Sequence, residues 1–145
     1  MLKQEITYTN FDGVEVTEPF YFNISRSELV QMEIHTPGGY VNFLQRLIDA
    51  KDSAALMDAF LDLVKKAYGV KSDDGKRFVK SAEAVDDFVN SAAYDELFVK
   101  FMTDTDFASK FALGVLPKDV DKLAENIRKA NDAAASRLSI VSDDK

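Results

Sequence analysis

With 145 residues, 46% of them hydrophobic, the chain has the apolar mass for one packed core; a single domain of this size buries about 70% of its unfolded surface. Eighteen basic residues against 25 acidic ones leave a formal charge of −7, which repels a phosphate backbone and argues against a nucleic-acid partner. There is no cysteine, which excludes disulfides, thiolate catalysis and cysteine-based zinc sites, and no segment reaches the roughly 18 to 20 apolar residues of a membrane span.

The opening MLKQEITYTNF carries no apolar run of signal-peptide length, so a cytoplasmic location is expected. Residues 4–24 read as a β-hairpin, because Ile6 and Tyr8 alternate with polar residues and Val14, Val16, Phe20 and Phe22 continue the alternation. Keeping these even positions on one face selects the loop. A two-residue Asp12-Gly13 turn would pair odd with even residues, whereas the three-residue loop Phe11-Asp12-Gly13 pairs 10 with 14 and 8 with 16. Pro19 lacks an amide proton, so the second strand is expected to have an open side near it.

Ser25-Arg26-Ser27-Glu28 is a capping box, with Ile24 and Leu29 spaced for the accompanying hydrophobic staple. The helix it starts, Arg26 to Ile34, is broken by Pro37-Gly38-Gly39. A second helix over Tyr40 to Ala50 buries Tyr40, Phe43, Leu44, Leu47 and Ile48. Asp52 caps a third, ended by Gly69, which carries the stripe Leu56, Phe60, Leu63, Val64 and Ala67 beside a second stripe of Met57, Leu61 and Tyr68. This much apolar surface marks it as the central helix, and a polar loop follows it to Ser81.

Ser81 caps a helix with Val85, Phe88, Val89 and Ala92 inward. Ser91 caps the next, with Tyr94, Leu97, Phe98 and Phe101 inward. Thr103 or Asp104 starts one carrying Phe107, Ala108 and Phe111, closed by Gly114 and Pro117. From Lys118 the aromatics vanish, yet Val120, Leu123, Ile127, Ala130 and Ala134 recur at steps of three and four on a charged helix. Such a stripe either folds back on its own domain or meets a partner helix or a second copy. The expected fold is α+β and mostly helical, with an N-terminal β-hairpin, about six short helices and a longer C-terminal amphipathic helix. Residues 1–117 form the compact domain; 118–145 form that helix and a frayed tail from 142.

Chemistry-bearing patterns are sparse. Gly69, Gly75 and Lys76 imitate a phosphate-binding loop, but five residues separate the glycines where four are needed, Arg77 replaces the magnesium-binding hydroxyl, and a helix precedes where a strand belongs. Asp73-Asp74-Gly75 lacks the alternating ligands of a calcium loop and reads as a turn. His35, the one imidazole, sits at a helix end with no tethered carboxylate. Asp104 and Asp106 are explained by a helix start, and Asp86-Asp87 belongs to no recognisable constellation. No catalytic, cofactor-binding or metal-ligating residue and no cofactor is assigned. The candidate partner contacts are the basic loop residues Lys71, Lys76 and Arg77, with Lys80 beside them, and the stripe Val120, Leu123, Ile127, Ala130 and Ala134.

The string AYGVKSDDGKRFVKS (67–81) resembles the tail assembly chaperones of long-tailed phages infecting Gram-positive bacteria. So do YTNFDGVEVTEPFYFNISRSELVQME, GGYVNFLQRLIDAKD and AYDELFVKFMTDTDFASKFALGVLP, which together cover Ile6 to Pro117 in order. The resemblance implies a non-enzymatic protein of the infected host's cytoplasm that binds the tape measure protein and keeps it soluble while the tail tube assembles. Further partners it implies are the tail tube protein and a frameshifted longer form of the chain; homo-oligomerisation stays open, and neither nucleic acid nor membrane is expected. The alternative is a structural tail protein retained in the virion.

Overall fold

A computed structural model describes residues 1–143, with side chains through Ala130 and at Asp132. Among these, the elements run β1 (Leu2–Thr9), β2 (Glu15–Phe22), α1 (Arg26–His35), α2 (Tyr40–Ala50), α3 (Ser53–Ala67), β3 (Tyr68–Lys71), β4 (Phe78–Val79), α4 (Ala82–Val89), α5 (Ala92–Thr103), α6 (Thr105–Val115) and α7 (Val120–Asp143). The fold is α+β and mostly helical, as the periodicities require. The antiparallel strands form one sheet in the order β1-β2-β3-β4.

The first hairpin has the three-residue loop. Tyr8 faces Val16 and Thr9 faces Glu15, and the Asn10 amide donates to the Val14 carbonyl at 2.8 Å. The Asn10 side chain accepts from the Asp12 and Val14 amides, both at 3.0 Å, and Gly13 takes the left-handed φ of 80° that closes the turn. Ile6 and Phe22 consequently point into the core, at 6% and 0% exposure. Beyond β1, β2 pairs with β3 only at Tyr21 and Phe22, so the edge beside Pro19 is open.

Side-chain caps set the helix starts. Ser25 and Glu28 exchange their capping-box bonds, and Asp52, Ser81, Ser91 and Asp104 each accept from the amide three residues on. The α3 face Phe60, Leu63, Val64 and Ala67 is fully buried, which makes this helix the centre of the core. Its second stripe is shallower than expected: Leu61 and Tyr68 are half-buried and Met57 is exposed. Around α3 the aromatic rings interlock, with Phe60 against Phe101 at 4.1 Å between centroids, Phe22 against Phe111 at 5.1 Å, and Tyr68 stacked on Phe88 at 4.4 Å.

Three boundaries differ from expectation. The helix α3 stops at Ala67, and Gly69, expected to end it, is a strand residue paired with Tyr21. Glycine is needed there for another reason than a cap: a Cβ would lie 2.6 Å from the Phe78 ring and 2.9 Å from the Val79 carbonyl, so glycine permits β3 and β4 to close. The polar loop is therefore a second hairpin. Gly114 lies inside α6 against Leu2, and the extended Leu116 before Pro117 ends that helix. Finally, α7 runs through Asp143, past the expected start of fraying at residue 142; residues 144 and 145 lie outside the described residues.

Candidate functional site

The hairpin that carries Lys71, Lys76 and Arg77 is built by its own polar side chains. The Ser72 hydroxyl donates to Asp74 Oδ1 at 2.7 Å and accepts from the Arg77 amide at 3.0 Å, while Asp74 Oδ1 also accepts from the Lys76 amide at 3.0 Å. These bonds, led by that from Ser72, hold the Asp74 carboxyl below its ordinary pKa. Gly75 supplies the positive φ of 73°. Asp74 Oδ1 and the Ser72 hydroxyl are thus engaged in closing the turn. Lys76 and Arg77 are exposed at its tip, and Lys71 is half-buried with its ammonium 3.2 Å from the Ser72 carbonyl.

Lys80 leaves this basic group. Its ammonium donates to both Glu28 oxygens at 2.7 and 2.9 Å and to the Lys66 carbonyl at 2.8 Å. One side chain thus joins the end of the second hairpin to the N-terminus of α1 and the last turn of α3. Burial pushes the Glu28 carboxyl up, but the bonds from Lys80 and from the Ser25 amide outweigh it, and its pKa is lowered from 4.5. A lowered carboxylate pKa contributes stability above the unfolded value and loses it as the pH falls through the folded one. Lys80→Met should therefore cost about 1 kcal/mol near neutrality, with solvent screening limiting the figure. The difference from the parent chain should shrink as the pH falls below 4.5, read from urea unfolding at a series of pH values.

The stripe of α7 is divided by the domain it leaves. Val120 and its neighbour Ala124 are buried at 7% and 3%, Leu123 packs on the same core, and α7 lies along α1 with Asp119 ion-paired to Arg26. Ile127 is half-buried and Ala130 exposed; the Ala134 side chain lies outside the described residues. The basic hairpin packs on β2 and α4, whereas α7 packs on α1. His35 is exposed at the last turn of α1.

Two features have no local sequence signal. The N-terminus of α2 has no cap of its own, because Gly39 stands at the capping position; Glu33 of α1, 4% exposed, reaches over to accept from the Val41 amide at 2.9 Å. Tyr40 beside it is buried with its hydroxyl unbonded among the described residues, and burial, with Asp62 nearby, pushes that hydroxyl's pKa up. The other feature is a cleft of about 480 Å³ between β1 and α5, lined by Ile6, Glu96, Val99, Lys100 and Phe107 among others. Among the described residues no group of three His, Asp or Glu is placed to hold a metal ion, and no helix is long and apolar enough to cross a membrane.

Fold and surface together define a small, mostly helical α+β module whose distinctive features are a four-stranded antiparallel sheet, a basic hairpin tip and an amphipathic C-terminal helix. A family model described as phage tail assembly chaperone matches residues 1–145, and the chain belongs to that family. The match takes in α7, beyond the Ile6 to Pro117 span that holds the resembling motifs. No curated protein and no solved structure matches the chain.

Proposed function

We propose that this protein binds the tape measure protein in the host cytoplasm and keeps it soluble while tail tube subunits polymerise around it, without catalysing a reaction. The observation that carries the reading is the family match over the whole length of the chain, which gives a role in tail assembly and hence tail-protein partners. The formal charge of −7 supports it, since a net-negative binder adds charge to an otherwise aggregation-prone complex. The partner-facing surfaces in this proposal are the basic tip, Lys71, Lys76 and Arg77, and the part of the stripe from Ile127 through Ala130 to Ala134. Val120 and Leu123 anchor the helix that presents it.

Co-expression of the tape measure protein with and without this chain tests the role: soluble client should be recovered only with the chain present, and equal recovery would sink the proposal. Ala130→Glu should lower that recovery at an unchanged thermal midpoint. Leu123→Glu, which places a charge against the core, should instead lower the midpoint itself. Stoichiometric retention of the chain in purified virions would favour a structural tail protein in its place.

A further inference from the structure

The first strand ends the sheet and leaves one edge unpaired. The Asn10 amide bonds to the Val14 carbonyl, so pairs 10:14, 8:16, 6:18 and 4:20 are the hydrogen-bonded pairs of the hairpin. By the same alternation the amides and carbonyls of Lys3, Glu5 and Thr7 point away from β2. Among the described residues the only bond at this edge is a long one, 3.3 Å, from the Gln4 side chain to the Glu5 carbonyl. The edge borders the 480 Å³ cleft whose far wall is α5, where Val99 stands 56% exposed between Glu96 and Lys100.

We infer that this edge is where a second copy of the chain docks, its β1 pairing antiparallel with β1 of the first to give a continuous sheet across a two-fold axis at Gln4. The argument is one of register. Outward-pointing residues must pair with outward-pointing residues, so odd positions face odd positions and the register moves in steps of two. With the axis at Gln4, Lys3 lies opposite the second copy's Glu5 and Glu5 opposite its Lys3, so both pairs are of opposite charge. These side chains share the solvent face, are 56% and 63% exposed and make a 4.0 Å ion pair within one strand, a weak exposed contact that pairing across the axis would exchange for two between copies. On the other face Leu2 lies opposite Ile6 and Gln4 opposite Gln4. Moving the axis to Glu5 sets Glu5 on Glu5, and moving it further removes both charge pairs. The charge pattern of β1 is therefore self-complementary in one permitted register.

The experiment is the mass of the full chain in solution by sedimentation equilibrium from micromolar to submillimolar concentration, expected to show a monomer–dimer equilibrium. Lys3→Glu alone and Glu5→Lys alone each place two like-charge pairs across the axis and should weaken the dimer by roughly tenfold or more, while the double exchange Lys3→Glu/Glu5→Lys should restore it. The chain has no cysteine, so Gln4→Cys introduces a single thiol at the axis, where directly opposed Cβ atoms lie within disulfide reach. It should oxidise to a covalent dimer, and Thr7→Cys, which this register places opposite Met1, should not. A chain that stays monomeric throughout overturns the inference, as does a dimer indifferent to the charge exchange or cross-linked through Thr7→Cys in preference to Gln4→Cys. A monomer whose client recovery responds to the same charge changes assigns the edge to the client and overturns it equally. The sedimentation and cross-linking readouts use the chain alone and do not depend on the tape measure reading, so the two can fail separately.

Discussion

Replacing Phe60 by alanine should remove about 4 kcal/mol of stability, a large part of the 5–15 kcal/mol that holds a domain together. Phe60 is fully buried on α3, and its ring lies 4.1 Å from Phe101, 5.9 Å from both Phe98 and Phe111, and 6.3 Å from Tyr94, measured between centroids. Truncation loses the transfer energy of the ring and leaves a cavity that four aromatic neighbours, themselves held by α5 and α6, are poorly placed to fill. The midpoint in urea should fall with little change in slope, since the surface exposed on unfolding is almost the same. Met57, three residues earlier on the same helix and 42% exposed, is the matched control, and Met57→Ala should shift stability by less than about 0.5 kcal/mol. A cost below about 2 kcal/mol at Phe60 would mean that the core is centred elsewhere than on α3.

That contrast also shows what kind of information the sequence carries. The first hairpin, the capping box and the Asp and Ser caps are legible because their chemistry is complete within a few residues: Asn10 and Gly13 close a turn, and Ser25 needs only Glu28. The spacing of Phe60, Leu63, Val64 and Ala67 is likewise a local statement about one helical face. The second hairpin is different. Its strands have four and two residues, too short for an alternation to register; β4 pairs with Val70 and Lys71 of β3, and β3 is held in the sheet by the pairing of Gly69 with Tyr21, 48 positions away by the difference of their numbers. Met57 failed for a related reason: periodicity says which residues share a face, and only the packing of neighbours says how wide the buried part of that face is. For the candidate surface the gap is wider still. Lys80 reads as a member of a basic cluster until Glu28, 52 residues earlier, is placed against it. The stripe of α7 reads as continuous until α1 covers its first two turns.

The capping of α2 is the least legible device in the chain, and Gly39→Ala tests it with the second large expected effect. Gly39 has φ 89° and ψ 144°, a conformation essentially reserved for glycine, and an added Cβ would lie 2.3 Å from Glu33 Oε2. The methyl group thus faces two costs at once. Backbone strain accounts for about 1–3 kcal/mol, and pushing the buried carboxylate off the Val41 amide leaves that helix start unsatisfied for about 1–3 kcal/mol more. A total near 4 kcal/mol is expected, or a thermal midpoint lower by roughly 10 °C for a chain of this size. The two contributions separate in a double-mutant cycle with Glu33→Ala. Once the carboxylate is gone, Gly39→Ala meets no oxygen and has no cap left to displace, so its cost should fall to the strain alone. A cycle that is additive would mean that Gly39 is needed only for its backbone, and that Glu33 holds α2 to α1 by some route other than the Val41 amide.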